Sequence, residues 1–350
     1  MDYSKLISVD NLFQAWSEFR KGKKKRNDVQ RFERHLEDNL FNLHKALRDK
    51  TYRHGNYQSF YVQDPKQRHI HKANVQDRVV HHLLYNYLYK LFDKTFIYDS
   101  YSCRLNKGTH KAANRLEQFT RKVSGNYTRS CWVLKCDIKK FFSSIDHSML
   151  IALFNKKIKD EDIIWLLKQA VESFPPKQPD RLFSACSGGP GMPLGNLTSQ
   201  IFANIYLNEL DQFIKHKLKI KYYLRYADDF LLLSPDKNYL YQYIDTLKIY
   251  LKNYLKLQLH PEKVFIRKLE WGIDFLGYIV LPHYTLPRTK TRRRMFKKLK
   301  EKISTDSFNQ ALQSYLGYLQ HANSFELTQS LKNRVWFWKN DIIGKNEVAL

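Results

Sequence analysis

The chain has 350 residues, enough to bury a substantial core, and its 60 Lys and Arg against 34 Asp and Glu give a net charge of +26. So large an excess strains a compact fold through self-repulsion unless a polyanion neutralises it, which points to nucleic acid first and an acidic membrane surface second. With 22 Phe, 23 Tyr and 6 Trp the chain is far too aromatic for a disordered basic tail, and its rings offer stacking faces to bases. Cys103, Cys131, Cys136 and Cys186 form no CxxC pair and have no His at zinc-finger spacing, which reads as reduced, buried thiols of a cytosolic protein. The N-terminal stretch MDYSKLISVDNLFQAW lacks the basic lead and apolar run of a signal peptide, and no segment approaches the roughly 18 apolar residues of a membrane span. A soluble, cytoplasmic protein with no membrane partner is expected.

The first fifty residues read as helical, with Val29, Phe32, Leu36, Leu40, Leu43 and Leu47 recurring at three- and four-residue steps in one amphipathic helix. The basic knot Arg20 to Arg26 just before it is either a solvated loop or a phosphate-binding patch. Alternation suggests short strands over Tyr57 to Val62 and Arg68 to His71 around the turn Asp64-Pro65. Helices follow at Val75 to Phe92 and, after the loop CRLNKG, at Thr109 to Arg121; Cys131 to Cys136 then fits a buried strand ending on Asp137.

Gly and Pro crowd Pro175 to Gly195, marking one long loop, since a strong helix follows at once from Asn196 to Lys217. The runs KYYLRY and FLLLS flank Ala227-Asp228-Asp229, a hairpin with two acids at its tip. A helix over Tyr239 to Leu257, a strand near Val264 and another over Phe275 to Leu281 complete a mixed α+β body. Beyond Pro287 the chain is basic and helical, with nine Lys or Arg between Arg288 and Lys302.

The acids carry the chemistry. Phosphoryl transfer to a 3′-hydroxyl uses two Mg²⁺ ions about 3.5–4 Å apart, one activating the attacking oxygen and one supporting the leaving group. Mg²⁺ is held by a few carboxylates together with substrate phosphates, so at least two acids must sit close together on rigid backbone. Asp228 and Asp229 are adjacent at a hairpin tip, but alternation lets only one of them point fully at a shared site. Asp137, at the end of a second apolar strand, supplies the further acid. Unpaired acids between buried strands are costly without a cation.

The segments LKCDIKKFFSSIDH, GMPLGNLTSQIFANIYLNELD, YLRYADDFLLL and IDFLGY, preceded by RHIHKANVQDRVVHHLL and YSCRLNKGTHKA, resemble the palm and fingers motifs of reverse transcriptases in order and spacing. The resemblance covers residues 50 to 282 and is greatest to the enzymes of diversity-generating retroelements, with retron, group II intron and phage-defence enzymes as relatives. It implies a right-hand polymerase fold: an N-terminal helical extension (1–55), fingers (56–130), a palm of antiparallel sheet and helices (131–282), and a basic helical thumb (283–350).

The resemblance also assigns roles. Asp137 and Asp228 match the metal-bridging carboxylates, Asp229 the third acid, and the Ile138 carbonyl completes one metal's shell, with Mn²⁺ as a substitute for Mg²⁺. Phe142 falls at the aromatic gate against a nucleotide 2′-hydroxyl, which implies dNTPs over NTPs, although Phe141 and Phe142 compete for a place in the core. Arg68, with Lys66 beside it, matches the fingers grip on the incoming triphosphate, where a guanidinium fork suits phosphate oxygens. Gly195 and Gln200 belong to the nucleotide-binding motif, and Lys263 could neutralise the leaving pyrophosphate or be simply solvated. Arg78, Tyr226, Leu276, Gly277, Arg292, Arg293 and Lys297 are expected at the primer and template, the last three on the duplex backbone.

One departure stands out. Many reverse transcriptases carry Gln-Gly and Ser-Pro before the palm helix; here Leu194-Gly195 and Ser199-Gln200 stand in those places. An apolar Leu194 removes an oriented contact near the nucleotide, and base discrimination rests on a few kcal/mol or less, so low fidelity is expected. The family implies a dedicated template RNA, a cDNA product, a small basic accessory protein that forms a ring, and a bacterial, archaeal or phage-encoded setting. Two other readings remain open: a retron or phage-defence polymerase, and an RNA-binding factor without catalysis.

Overall fold

The computed structural model describes residues 2–63, 67–174 and 191–347, with side chains through 340. Lys66, Cys186, the turn expected at Asp64-Pro65 and most of the loop beginning at Pro175 lie outside the described residues. Of the other cysteines, Cys131 and Cys136 are buried, but Cys103, expected buried, is exposed on a loop where its backbone turns at φ +52°.

The chain opens with four helices, α1 (Tyr3–Leu6), α2 (Val9–Arg20), α3 (Asn27–Glu33) and α4 (Leu36–Arg48). The single amphipathic helix expected over Val29 to Leu47 is therefore two. His35 leaves helical geometry (φ −126°, ψ 46°), and the Asn39 side chain caps the Phe32 carbonyl across the break at 2.9 Å. The bend lets Val29 and the Leu40, Leu43 and Leu47 stripe join one core with Leu12, Ala15, Trp16 and Phe19 of α2. The basic knot before it is partly spent internally: Arg20 pairs with Glu33, and the Lys23 Nζ donates to the Phe19 carbonyl at 2.6 Å.

An antiparallel hairpin follows, β1 (Gln58–Gln63) and β2 (Gln67–Lys72), with Val62 opposite Arg68 and Phe60 opposite Ile70. Every residue of β1 is exposed. The Asn74 side chain caps α5 (Val75–Phe92) by accepting from the Asp77 N–H at 2.8 Å. Next come α6 (Thr109–Val123), β3 (Trp132–Asp137), the short helices α7 (Phe141–Ser144) and α8 (His147–Asn155), α9 (Glu161–Glu172) and α10 (Leu197–Gln212). The last turn of that region, through Lys217, widens into π geometry.

The central sheet has the order β4-β5-β3-β6, with β4 (Tyr223–Tyr226), β5 (Asp229–Ser234) and β6 (Phe265–Lys268), and α11 (Lys237–Leu255) crosses between the last two. Alternation gives the sheet two apolar faces. Leu134, Cys136, Phe230 and Leu232 join the core that includes Tyr206 and Leu210 of α10 and Leu240, Leu247 and Leu251 of α11. Val133, Leu231 and Leu233 pack with Ala112, Leu116 and Phe119 of α6. Each such side chain contributes roughly 1.5–3 kcal/mol of burial, which makes the sheet a rigid platform.

The segment Phe275 to Leu281, expected as one strand, turns back on itself. It forms β7 (Ile273–Phe275) and β8 (Tyr278–Leu281), joined through Leu276 and Gly277 at φ +51° and +93°, and β9 (Tyr284–Pro287) completes a second sheet. Three helices close the chain, α12 (Thr289–Lys302), α13 (Phe308–Leu319) and α14 (Phe325–Glu347), around their own core of Met295, Leu299, Phe308, Leu319, Leu331 and Val335. Because Tyr284–Pro287 is a strand, the C-terminal helical module starts at Thr289.

Asp28 ties the N-terminal helices to the hairpin and to α5, pairing with Lys72 at 2.7 Å and Arg78 at 2.5 Å. Partial burial works against its charge, but these two cations outweigh that and hold its pKa down to about 2. A carboxyl with a depressed folded-state pKa contributes stability above its unfolded value that is lost as pH falls through the folded value. Asp28→Asn should therefore destabilise the protein at neutral pH, and its deficit against wild type in urea unfolding should shrink between the ordinary aspartate value of 3.8 and about 2.

Candidate active site

The three acids meet where the central sheet ends. Asp137, the last residue of β3, lies directly opposite Asp229, the first of β5, and in an antiparallel pair such partners share a face. Tyr226 pairs with Asp229 to close the hairpin, and Ala227 at φ +54° makes the reversal that carries Asp228 across the tip. Beyond β3 the chain stays pinned: the Ile138 N–H donates to the Asp228 carbonyl at 3.3 Å, and the His260 N–H to the Asp137 carbonyl at 2.7 Å. Ile138 also bridges Leu259 antiparallel, with its flanking residues making the bonds, so its own carbonyl lies on the Asp228 side.

Burial raises the Asp228 pKa, and the neighbouring Asp137 charge raises it further. Burial pushes Asp229 up to about 6, against the pull of Lys135. The Lys135 Nζ stands 3.1 Å from Asp229 Oδ2 and donates to the Asp274 carbonyl of β7 at 2.8 Å. The Lys263 Nζ contacts Asp137 Oδ2 at 2.5 Å. Asp229 Oδ1 is buried without a hydrogen-bond partner. Among the described residues no three His, Cys, Asp or Glu side chains form a complete metal cage. The donor set nevertheless suits Mg²⁺, which binds through one or two carboxylates and takes its remaining ligands from water and substrate phosphate. Repelling acids and an orphaned carboxylate oxygen are what a divalent cation would relieve.

The other expected residues are placed unevenly around this centre. Arg68 is exposed on β2, and its charge reaches Asp228, lowering that carboxyl's pKa against the larger upward effects. Phe141 is buried in the core, while Phe142 is only partly covered and packs against it. Gly195 sits at φ +117°, where a Cβ would come within 2.9 Å of Ile70 Cγ2; the Leu194 carbonyl accepts from the His71 N–H at 2.9 Å. A side chain at Gly195 would thus push the β1–β2 hairpin off the loop that leads into α10. Gln200 is exposed on α10, and Tyr226 Oη lies 3.2 Å from Thr109 Oγ1. Arg292, Arg293 and Lys297 line the outer side of α12. Arg78 pairs through its guanidinium with Asp28 and covers the Phe19 ring at 4.9 Å.

Sequence reading missed Arg225, the largest fully buried side chain. It donates to Asp211 Oδ1 at 2.8 Å and Oδ2 at 2.6 Å, to Ser100 Oγ at 3.1 Å and, at 3.0 Å, to the carbonyl of Ala227 at the hairpin tip. Tyr223 Oη donates to the same Asp211 at 2.6 Å. The signal was present: an Arg inside the otherwise apolar strand KYYLRY, and an Asp on the buried side of α10, each need a partner. Lys135 was missed in the same way, as a lysine one step before Cys136 in a buried strand.

The sequence profile of reverse transcriptases (RNA-dependent DNA polymerases) matches residues 62–280. The chain is 25% identical over 309 residues to the group II intron-encoded protein LtrA of Lactococcus lactis subsp. cremoris, covering 69% of this chain and 49% of that protein. It is 24% identical over 236 residues to protein YkfC of Escherichia coli, covering 58% of this chain and 60% of that one. The chain thus spans about half the length of such relatives. Among solved structures, apo telomerase from Candida tropicalis superposes with a TM-score of 0.50 at 14% identity, over 74% of this chain and 51% of that one, a likeness of fold. The chain belongs to the reverse transcriptase family, and its fold is the right-hand polymerase fold, with the central sheet as palm.

Removing Arg225 alone leaves Asp211 charged and buried, which costs about 3–5 kcal/mol. Arg225→Met should show that loss in urea unfolding, and Arg225→Met/Asp211→Leu should recover much of it. A single variant as stable as wild type would show that the buried pair is not what holds the hairpin.

Proposed function

We propose that the chain is an RNA-directed DNA polymerase that extends a primer on an RNA template by a two-metal mechanism, with Asp137, Asp228 and Asp229 at its centre. The observation that carries this reading is the convergence of Asp137 and Asp229 on one face of the sheet end, with Asp228 beside them. Mg²⁺ bound by Asp137 and Asp228, with the Ile138 carbonyl, would supply Lewis-acid activation of the 3′-hydroxyl and charge neutralisation at the phosphates. Mn²⁺ is expected to substitute. Lys135 holds Asp229 in place from within the sheet. Lys263, half exposed at its contact with Asp137, is free to turn toward a departing pyrophosphate. Arg68 reaches the same space from the β1–β2 hairpin and binds the dNTP triphosphate, while Phe142 lies under the sugar and excludes a 2′-hydroxyl. Gly195 and Gln200 border the nucleotide, and Tyr226, Leu276 and Gly277 support the primer end. The C-terminal helices act as a thumb, with Arg292, Arg293 and Lys297 on the duplex backbone.

In an assay of dNTP incorporation on a primed RNA template with Mg²⁺, Asp228→Ala/Asp229→Ala should cut synthesis at least about a hundredfold, since metal ligation supplies several kcal/mol to such transfers. Retained synthesis in the double variant would defeat the assignment. No synthesis by wild type, with its neighbouring RNA supplied, would favour an RNA-binding factor.

We infer further that copying is error-prone, as in diversity-generating retroelements, on a dedicated template RNA and beside a small basic accessory oligomer in the cytoplasm. Leu194 supports the first part: its backbone is fixed to the hairpin, and its side chain offers the nucleotide pocket no directional bond. Leu194→Gln should lower the misincorporation frequency read by sequencing the products, with wild-type errors concentrated at template adenines. An unchanged error rate in the variant would remove Leu194 as the cause, and errors spread evenly over the four bases would favour a retron or defence role.

A further inference from the structure

The turn between β7 and β8 is held from the C-terminal helices. The Tyr318 hydroxyl of α13 donates to the Gly277 carbonyl at 2.6 Å, and the Tyr278 hydroxyl of β8 donates back to the Tyr318 carbonyl at 3.1 Å. The two rings stack at 4.7 Å with 20° between their planes. His110 of α6 approaches the Tyr278 hydroxyl at 2.9 Å and stacks on His321, just past α13, at 3.8 Å. Three elements distant in sequence thus meet around the Tyr278–Tyr318 pair, and the carbonyl that Tyr318 holds belongs to a turn whose two residues both sit at positive φ.

The contact is built closely. A Cβ on Gly277 would lie 3.3 Å from the Tyr318 hydroxyl. The Gly277 carbonyl also accepts from the Arg288 N–H at 2.8 Å, where the chain leaves β9 for α12, so both ends of the helical module's entry converge on it. A second tie stands apart from the turn: the Thr285 N–H donates to Asn323 Oδ1 and the Asn323 N–H to the Thr285 carbonyl, each at 2.8 Å. Asn323 thus joins the module to β9 away from the turn, whereas the Tyr318 hydroxyl, with the Arg288 N–H, fixes the direction of the Gly277 carbonyl.

We infer that Tyr318 is a positioning residue for polymerisation: through its hydroxyl it sets the Leu276–Gly277 turn and so the place of the primer's 3′ end relative to Asp137 and Asp228. The inference rests on the polymerase reading above. A hydrogen bond aimed at a strained turn acts on geometry more than on affinity, and small displacements of a reacting group are expensive in rate. The step affected is attack by the primer hydroxyl, not binding of duplex or nucleotide.

The test is single-nucleotide extension by wild type, Tyr318→Phe and Asn323→Ala on one primed RNA template, with primer–template affinity and dNTP KM measured in parallel. Tyr318→Phe keeps the ring stack and should lower kcat about tenfold, the worth of one oriented hydrogen bond, with duplex affinity and dNTP KM within about twofold of wild type. Asn323→Ala should weaken duplex binding without lowering kcat at saturation. A Tyr318→Phe enzyme with wild-type kcat overturns the inference, and so does one whose loss lies wholly in duplex affinity, which would make the contact a docking contact only. Extension by wild type reads the polymerase assignment separately, so a silent wild type defeats that assignment while a ratio near one defeats only the role of Tyr318.

Discussion

The structure is organised around repulsion. Three carboxylates are brought to the end of an apolar sheet, where burial and then the neighbouring carboxylate charge raise Asp228 and push Asp229 up to about 6. The chain answers with cations of different freedom. Lys135 is 17% exposed and shared between Asp229 and the Asp274 carbonyl, so it is fixed. Lys263, 43% exposed on Asp137, can leave, and Arg68 approaches from a hairpin that is open on its β1 side. One cation is locked inside the sheet, and two stand at the surface of the cluster. That gradation separates this centre from a stabilising salt-bridge network such as Arg225–Asp211, where both partners are sealed.

Holding such a cluster requires a stiff support. The hairpin tip turns through Ala227 in the left-handed region, which costs a non-glycine residue on the order of 1–2 kcal/mol. Arg225 offsets it by bonding the Ala227 carbonyl while Asp211 and Tyr223 fix Arg225 itself. The same arginine's backbone pairs with the segment around Asp99 and Tyr101, so the loop before α6 is locked to the catalytic hairpin. Rigidity here comes from polar groups completely satisfied inside a low-dielectric core, where a half-satisfied network would cost more than an apolar one.

Much of this was legible in the sequence, and the pattern of what was not is instructive. The β3 strand, the acid hairpin and α5 could be read because period-two and period-3.6 patterns are local, and the three acids because their placement at strand ends follows from those patterns. The split of the Val29 to Leu47 helix was invisible, since a bend that lets Val29 and the Leu40 stripe join one core leaves the periodicity almost intact. The β7–β8 turn was legible only through Gly277 and the resemblance, because Leu276 is no turn former and the apolar run Phe275 to Leu281 reads as one strand. The pairing of Arg78 with Asp28 spans fifty positions and shows only in the fold. Partners far apart in sequence, such as Tyr318 with Gly277 or Lys135 with Asp274, have no local signature at all.

The net charge of +26 is also not what composition suggests, because it is unevenly spent. At the N-terminus Arg20, Lys72 and Arg78 face Glu33 and Asp28, and Lys23 caps a helix carbonyl, so part of that basic knot closes on itself. On α12 the balance is different: Arg292, Arg293 and Lys297 are exposed, and the one acid on that helix, Glu301, lies 3.9 Å from Lys297. Charge of one sign left on a helix that shares its core with α13, and through Tyr318 reaches the Gly277 turn, is repulsive in the free protein and relaxed by a phosphate backbone. On the proposed reading, duplex binding at α12 and alignment of the primer end would be mechanically continuous: a polyanion that neutralised the helix would also load the element that holds the turn.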